Sequence, residues 1–532
     1  MNSPRAINRR DFSRQLAGGI GAALMSPMLG FAAFKEAVKL QTYQPAVRAH
    51  KSQIYRVTVN GQPVFPERFH DIDYVHFSAG GEVTVSVRTP SRIRKFSISP
   101  KARGIAAEAV GDTLTFTLTE PCQLIVTIGD AQRLFVFADA IDTEAPVPGR
   151  PGVASILDFD VDASGVRLET GRIQRAIDEV SRKGGTLYFP PGTYLTGTLA
   201  LKSNLTLYLA GGTVLLGSPN REDYPVDAGF KEADLVNDPE HYTNQGAKMT
   251  YSRLLLVDHA SNVRIAGRGV IDGQGQVVRP QGKPANLLRI RDSSNVTVEG
   301  VFLRNPAAWN THVLHSDRVT FRDVKVLNNR TVRNTDGINP DASRDVLVER
   351  CFFYCGDDAV AIKTSGNSRL LRNAERITVR DCVMLTRKSA MKLGTESFAE
   401  YERDITFENN DVVEADRAMS LYCSDGAKFE NIRWLNNRVE STYPDSQRRT
   451  LHFTVIERGG DEPGHIRNVL IKDTLVAEAS PNPLVMKGHS EAHGIRDVRF
   501  VNFSVGGRMC HNAAEARLET NEFVSDVSFS VE

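Results

Sequence analysis

The chain lacks several features that would assign it to other classes of protein. Its six cysteines among 532 residues are too few for a disulfide scaffold, and no Cys-x-x-Cys pair suggests a zinc site. Neither charge sign dominates, since 65 Lys+Arg face 64 Asp+Glu. This balance argues against a nucleic-acid binder that works through a strongly basic surface. Beyond the first 35 residues, no segment is long and apolar enough to predict a membrane span.

Residues 1–35 have the pattern of an export signal. Asn8-Arg9-Arg10-Asp11-Phe12 is a twin-arginine box, and an apolar run rich in small residues follows from Leu16 to Ala33. The glycines and the proline in this run make it a poor transmembrane helix. The segment resembles a bacterial twin-arginine signal, which predicts a periplasmic or secreted protein.

Residues from about 46 to 145 predict a small β-sandwich-like domain. Runs such as Val83-Thr84-Val85-Ser86-Val87 alternate apolar and polar residues, which is typical of half-buried strands. A Pro/Gly-rich stretch from Pro146 to Gly152 then predicts a linker. An amphipathic helix follows, with Thr170 as its expected cap and apolar residues at Ile173, Ala176, Ile177 and Val180.

The region 153–532 repeats one phrase, in which a polar residue precedes an apolar–x–apolar strand. Asn262-Val263-Arg264-Ile265 and Asp345-Val346-Leu347-Val348 are two of its copies. From Val263 to Ile432 the copies are spaced by 33, 23, 27, 31, 28 and 27 residues. This is the length of one coil in a solenoid, so the sequence predicts an all-β fold with a right-handed parallel β-helix preceded by the sandwich.

Two acidic segments lie on adjacent predicted coils. They are Asn334-Thr335-Asp336-Gly337 and Gly356-Asp357-Asp358, with 22 residues from Asp336 to Asp358. Stacked coils place equivalent residues roughly 5 Å apart, so three carboxylates are expected to crowd together and at least one to have a raised pKa. Glycosidic hydrolysis needs such a proton donor together with a carboxylate that activates water. Turn formation or Ca²⁺ binding is the structural alternative for these aspartates.

Several motifs together resemble glycoside hydrolase family 28, the polygalacturonase family. They include Phe189-Pro190-Pro191-Gly192, Gly267-x-Gly269-x-Ile271-Asp272-Gly273, Asn305-Pro306-x-x-Trp309 and the two acidic segments, in the family's order. The resemblance implies that Asp357 is the general acid and that Asp336 and Asp358 hold the nucleophilic water. It implies inverting hydrolysis of a pectin-type polysaccharide or oligosaccharide, with no metal or other cofactor and no nucleic-acid partner.

The sequence departs from the family pattern at positions where the family binds the sugar of its substrate. Ser389 stands where the family has a histidine, and Ser420 and Tyr422 stand where it has the two cations of Arg-Ile-Lys. We therefore predict a substrate that differs from ordinary polygalacturonate. The candidate substrate-binding residues are Asn334, Lys363, Lys392, Arg387, Tyr422 and Trp309.

Four alternatives remain open at this level. Lys363 and Lys392 can bind substrate, or they can be solvated or pair with Glu396 and Asp336. The protein as a whole can instead be a β-helix polysaccharide lyase, a dextranase-like α-glucan hydrolase or a non-catalytic glycan-binding protein. The dextranase comparison rests on the order of a sandwich before a β-helix.

Overall fold

The computed structural model describes residues 39–46, 49–225, 252–282, 285–365, 371–442, 448–458 and 462–532. The predicted twin-arginine segment lies outside the described residues. Among the residues described, no helix is long and apolar enough to cross a membrane. All six cysteines are buried and unpaired.

Two sheets form the N-terminal sandwich, and alternating burial, as in Val83–Arg88, turns one face of each strand inward. The first sheet contains β1 (Leu40–Thr42), β2 (His50–Lys51), β5 (Glu67–Phe69), β6 (Ile72–Ala79), β8 (Phe96–Ser99), β11 (Cys122–Ile128) and β12 (Arg133–Ala140). The second contains β3 (Arg56–Val59), β4 (Gln62–Val64), β7 (Val83–Arg88), β9 (Ala107–Val110) and β10 (Thr113–Leu118). All pairings are antiparallel except that of β6 with β12.

Three parallel sheets, here named I, II and III, form the β-helix that follows. Sheet I contains β13 (Val153–Ser155), β15 (Gly185–Phe189), β18 (Leu205–Leu209), β21 (Ser261–Gly267), β24 (Ser294–Glu299), β27 (Asp317–Arg322), β30 (Arg344–Glu349), β33 (Ala374–Arg380), β36 (Tyr401–Glu408), β39 (Lys428–Leu435), β42 (Ile466–Lys472), β45 (Ile495–Val501) and β49 (Val524–Ser530).

Sheet II contains β14 (Ser164–Leu168), β16 (Gly192–Thr196), β19 (Thr213–Gly217), β22 (Val270–Asp272), β25 (Phe302–Arg304), β28 (Lys325–Leu327), β31 (Phe352–Cys355), β34 (Val383–Thr386), β37 (Asp411–Glu414), β40 (Arg438–Val439), β43 (Leu475–Val476), β46 (Ser504–Val505) and the antiparallel β47 (Arg508–Met509). Sheet III contains β17 (Leu199–Leu201), β20 (Ser252–Asp258), β23 (Ala285–Arg291), β26 (Thr311–Leu314), β29 (Ile338–Asp341), β32 (Val360–Thr364), β35 (Ser389–Ser397), β38 (Arg417–Cys423), β41 (Arg449–Val455), β44 (Leu484–Lys487) and β48 (Leu518–Thr520).

From β15 onwards the chain visits the sheets in the order I, II, III in each coil, as in β30, β31 and β32, and each strand pairs with its equivalent one coil later. Inward-facing side chains from all three sheets form one continuous apolar core. The prediction of an all-β parallel β-helix preceded by a sandwich is confirmed.

The repeated polar residue of the sequence phrase has a structural cause. From β21 onwards it lies within each sheet I strand and adopts a left-handed backbone conformation, with φ of 58° at Asn262 and 55° at Asp345. Asn and Asp tolerate this conformation better than most residues. Their side chains also stack between coils, since Asn295 Nδ2 donates to Asn262 Oδ1 across 3.2 Å. The phrase therefore marks one corner of the β-helix.

Helix α1 (Thr170–Lys183) covers the first coils with the apolar face that the sequence predicts. The predicted cap is wrong: Glu169 occupies the cap position, and the Thr170 hydroxyl accepts from Gly197 N across 2.7 Å. A second short helix, α2, spans Gly275–Val278. Single 3₁₀ turns span Lys101–Arg103, Ile156–Phe159, Arg221–Asp223 and Arg279–Gln281.

The sandwich packs on the outer face of sheet II. Phe135 and Phe137 from β12 meet Phe352 of β31, with ring centroids 5.0 Å apart in both pairs. Lys325 is fully buried in this interface and donates to both carboxylate oxygens of Asp139, across 2.6 and 2.7 Å. The sandwich and the β-helix belong to one compact unit, and the predicted limits of 46–145 and 153–532 stay predictions.

Candidate active site

The three aspartates lie where the chain turns from sheet II into sheet III. Asp336 lies two residues before Ile338 of β29, and Asp358 lies two residues before Val360 of β32. Ile338 and Val360 are register partners, so the two aspartates occupy equivalent positions on adjacent coils. Gly337 N donates to Asp358 O across 2.9 Å, which joins the two turns directly.

Asp358 is held by two donors from the following coil. Its Oδ1 accepts from Ser389 N across 2.8 Å and its Oδ2 accepts from Lys392 Nζ across 2.6 Å. Burial alone would raise the pKa of Asp358, but the charges of Lys392 and Arg417 outweigh burial and hold that pKa below its ordinary value. Asp358 is therefore the carboxyl of the three that ionises most readily.

The pKa values of Asp357 and Asp336 are raised, in contrast to that of Asp358. Burial and then the charge of Asp358 raise the pKa of Asp357 to about 6. Asp336 is 3% exposed and accepts from Asn339 Nδ2 across 3.0 Å. Burial, followed by the charges of Asp357 and Asp358, raises the pKa of Asp336. Because a proton on Asp357 removes one of these charges, Asp336 ionises more easily while Asp357 is protonated.

The backbone fixes the direction of the Asp357 side chain. Asp357 Oδ1 accepts from Asp358 N across 3.0 Å, and the Thr386 hydroxyl donates to the carbonyl of Asp357. Asp357 is partly exposed, whereas Asp336 and Asp358 are buried. The most accessible carboxyl is therefore one with a raised pKa, an arrangement that suits a proton donor.

Lys363 pairs with Glu396, one of the alternatives left open by the sequence. Its Nζ donates to Glu396 Oε2 across 2.5 Å and to Thr395 O across 3.1 Å. The same Nζ lies 5.2 Å from the ring centre of Trp309, which is partly exposed. Burial would raise the pKa of Glu396, but the Lys363 charge outweighs it and lowers that pKa to about 2.

Lys392 faces out of the core between the buried Met391 and Leu393, as their alternation predicts. Its partner is Asp358, which the sequence analysis did not consider for it. Lys392 Nζ also lies 5.5 Å from the ring centre of Tyr422. Tyr422 is partly exposed, so the ring and the ammonium line the surface beside the carboxylates.

Asn334 and Arg387 lie on neighbouring turns. Asn334 is partly exposed, and its Oδ1 accepts from Arg279 Nη2 across 3.0 Å. Arg387 is exposed and donates from Nη1 to Arg330 O across 3.3 Å, and Arg330 belongs to the turn that carries Asp336. The substrate contacts proposed for these two residues stay predictions.

Ser389 and Ser420 are fully buried. Ser420 Oγ donates to Ser389 Oγ across 3.1 Å, so the two hydroxyls pair beneath the surface of the site. Their contribution is to support Asp358 from below, through the main-chain nitrogen of Ser389.

Several cations lie beyond Asp358 and are here named the cationic group; of them, the sequence analysis identified only Lys392. Arg417 pairs in register with Ser389 on one side and Arg449 on the other. Arg417 Nη1 donates to Tyr422 Oη across 2.8 Å, and His452 Nδ1 lies 2.7 Å from the same oxygen. Burial and then the charges of Arg449, Arg417 and Lys487 lower the pKa of His452 to about 4. The members of the group are Lys392, Arg417, Arg449 and Lys487, and the neutral His452 lies among them.

One cluster with the spacing of metal ligands occurs among the described residues. It contains Asp258, His259 and Asp292. Arg291 donates to both oxygens of Asp258, across 2.7 and 2.6 Å, so a guanidinium already supplies positive charge there.

Comparisons with known proteins find similarity to polygalacturonases. A "Probable polygalacturonase" of Vitis vinifera is 31% identical over 228 residues, covering 40% of this chain and 44% of that protein. An "Exo-poly-alpha-D-galacturonosidase" of Dickeya chrysanthemi is 28% identical over 263 residues, covering 40% and 42%. The chain therefore spans less than half the length of these relatives.

An exopolygalacturonase from Thermotoga maritima shares the fold, with a TM-score of 0.56 and 23% identity over 73% of this chain and 93% of that one. The model of the family "Glycosyl hydrolases family 28" matches residues 233–382, a stretch that includes all three aspartates. Residues 233–382 thus carry the sequence signature of glycosyl hydrolases family 28.

Proposed function

We propose that the protein is an inverting glycoside hydrolase that cleaves O-glycosidic bonds in a pectin-type polysaccharide or oligosaccharide. The observation that carries the proposal is the convergence of Asp336, Asp357 and Asp358 on adjacent turns, with Lys392 bound to Asp358 alone. The family match and the polygalacturonase relatives support the same chemistry.

The three carboxyl groups divide the work of hydrolysis. Asp357, which is accessible and has a raised pKa, protonates the leaving oxygen. Asp336 and Asp358 hold a water molecule and take its proton as it attacks the anomeric carbon. Single displacement inverts that carbon and requires room for the water between acid and base, roughly 6.5–9.5 Å between carboxyls.

The cationic group is the proposed binding site for the carboxylate of an acidic sugar. Arg417 and Arg449 lie on the two coils that follow Ser389, and His452 lies beside them. An arginine matches the planar geometry of a carboxylate. Positive charge would thus be retained beside the acids although Ser420 and Tyr422 occupy the positions of the family's cations.

Trp309 and Tyr422 are the aromatic side chains on which we propose that the sugar rings stack. Each ring has a cation near it, Lys363 and Lys392 respectively, and each is partly exposed. Asn334 and Arg387 are proposed contacts farther along the glycan.

For the compartment, the proposal is export through the twin-arginine segment of residues 1–35 to the periplasm or beyond, which rests on Arg9-Arg10 and the apolar run.

A substrate panel tests the proposal. The protein and an Asp357→Asn variant are incubated with polygalacturonate, rhamnogalacturonan and α-glucan oligosaccharides, and the products are analysed by mass. We expect saturated products that differ from the substrate by one added water, and a fall of about a thousandfold in the variant.

Three outcomes would contradict the proposal. Unsaturated products that absorb in the ultraviolet would indicate a lyase. Cleavage of α-glucan alone would indicate a dextranase-like enzyme. Binding of glycan without turnover, equal in both proteins, would indicate a glycan-binding protein.

A further inference from the structure

Glu414 connects the N-terminal sandwich to the turn that carries Asp336. It ends strand β37 of sheet II and is 6% exposed. Its Oε2 accepts from Arg133 Nη2 of the sandwich across 2.6 Å. Its Oε1 accepts from both Nη1 and Nη2 of Arg330, each across 3.3 Å. One buried carboxylate thus bridges two arginines from different parts of the fold.

Tyr354 holds the same arginine from another side. Its ring centre lies 4.9 Å from the Arg330 guanidinium carbon, and its hydroxyl donates to Asp71 Oδ2 of the sandwich across 2.5 Å. Arg330 therefore has two contacts in the β-helix, and each of those contacts is itself bonded to a sandwich residue. A guanidinium held in this way has little freedom to move.

Arg330 belongs to residues 328–337, the turn between β28 and β29 that carries Asn334 and Asp336. Side-chain bonds rather than strand pairing shape this turn. Asn328 Nδ2 donates to the carbonyls of Thr335 and Asp336, across 2.8 and 3.0 Å. The position of Asp336 depends on where this turn is anchored.

The turn also lies against the segment of the acid. A Cβ on Gly356, the residue before Asp357, would fall 2.5 Å from Thr335 Oγ1 and 3.1 Å from the Cα of Arg330. The two segments are therefore packed without spare room. A displacement of Arg330 would change the spacing between Asp336 and Asp357.

We infer that the N-terminal sandwich is a positioning element of the active site, in which Arg133 and Asp71 act through Glu414, Tyr354 and Arg330 to set the place of Asp336 relative to Asp357. The inference rests on the proposed function, since it assigns Arg330 and its partners a role toward these carboxyls. It excludes a sandwich that serves only as a separate glycan-binding module or as a cover for sheet II.

The variant Glu414→Gln tests the inference, because it keeps the size of the side chain and removes the charge shared by the two arginines. Glu440→Gln is the matched control. Glu440 lies one coil later, faces the same sandwich and accepts from Ser99 Oγ across 2.7 Å and Lys101 N across 2.5 Å. Its partners do not include the turn of residues 328–337.

Glu414→Gln should lower kcat about tenfold or more with KM changed less than about twofold, because displacement of a reacting group by a fraction of an ångström has such effects. Amide hydrogen exchange in residues 328–337 should become faster. Glu440→Gln should leave both kcat and this exchange unchanged. A loss of kcat that is equal in the two variants, or unchanged exchange in residues 328–337, would overturn the inference.

Arg133 provides a second, milder test, because it is half-exposed and far along the chain from the carboxyls. Arg133→Gln should reproduce part of the loss, Arg133→Lys should restore most of it, and Arg133→Gln should add little to Glu414→Gln. Full additivity would overturn the inference. Failure of the proposed function would be separately visible, since either the unmodified protein would show no hydrolysis or Asp357→Asn would keep full activity. Hydrogen exchange would still report on the turn.

Discussion

Lys392 Nζ donates to Asp358 Oδ2 across 2.6 Å, and this ion pair distinguishes one of three neighbouring aspartates from the other two. Asp336 and Asp357 have raised pKa values because they are buried beside like charges. Asp358 has a lowered pKa because a cation is bound to it. This asymmetry favours Asp358 as an ionised carboxylate, and the greater exposure of Asp357 distinguishes it from Asp336 as the proton donor.

Replacement of Lys392 should remove the asymmetry. In Lys392→Met, the pKa of Asp358 should rise, since the charge that outweighs burial is gone. A carboxylate that must be ionised then loses its proton at higher pH, so the acidic limb of the kcat/KM profile should move to higher pH. We also expect kcat to fall about a hundredfold.

Lys428→Met is the matched control for Lys392. Lys428 also lies near a tyrosine ring, 4.9 Å from the centre of Tyr401, and it pairs with Glu400, but it belongs to sheet I. Its profile should match that of the unmodified protein. An unchanged pH profile and unchanged kcat in Lys392→Met would contradict the role assigned to Lys392.

The repeat could be predicted from the sequence because it reports local backbone geometry. A polar residue such as Asn262 or Asp345 recurs where a coil needs a left-handed backbone conformation. The number of residues between successive copies therefore gives the coil length. The acidic segments could be placed together for the same reason. Their separation of 22 residues is one coil.

Apart from the Lys363–Glu396 pair, which was one of the open alternatives, the charged partners could not be predicted, because they depend on side-chain reach across coils of unequal length. Lys392 reaches Asp358 from 34 residues away. Arg417 lies only three residues before Ser420 in the sequence, but its place beside Ser389 and Arg449 follows only from the strand register. The link from Glu414 to Arg133 spans 281 residues, and no local pattern signals it.

The pH dependence of activity in the unmodified protein should report the pKa of the general acid, Asp357. Asp357 must be protonated to act, and its pKa is raised to about 6. The kcat/KM profile, which reports the free enzyme, should therefore lose its activity as pH rises through about 6. An alkaline limb close to the ordinary pKa of an aspartate, about 3.9, would contradict the assignment.

Arg417→Gln should impair recognition of an acidic sugar, besides raising the pKa of Asp358, which the Arg417 charge helps to lower. If the cationic group binds a sugar carboxylate, KM for oligogalacturonate should rise about tenfold or more, the effect of losing a charged hydrogen bond. Arg403→Gln is the control, because Arg403 also lies over a tyrosine ring, 4.8 Å from the centre of Tyr401, but on sheet I. Equal KM values for the two variants would contradict the role of Arg417.

Glu396 should contribute to stability as the partner of Lys363. Its pKa is lowered to about 2 in the folded protein, so this contribution is present above the unfolded pKa of about 4.3 and is lost as pH falls toward 2. Glu396→Gln leaves a buried ammonium without its carboxylate and should cost about 3 kcal/mol at pH 7. The difference from the unmodified protein should shrink as pH falls from 5 to 2.5.

Urea unfolding at several pH values measures this difference. The control is Glu179→Gln on helix α1, where the exposed partner Lys183 lies one helical turn away, and we expect a cost of at most about 0.5 kcal/mol. A pH-independent difference for Glu396→Gln would show that the side chain acts through packing rather than charge.

The anomeric form of the first product tests the central claim most directly, because it reports whether one displacement or two occur at the sugar carbon. Proton NMR during the first minutes of oligogalacturonate cleavage, before mutarotation, resolves the two anomers. Attack by a water held by Asp336 and Asp358, with Asp357 as the acid, predicts that the new reducing end appears first with inverted configuration. Retained configuration would contradict this arrangement of the three carboxyls.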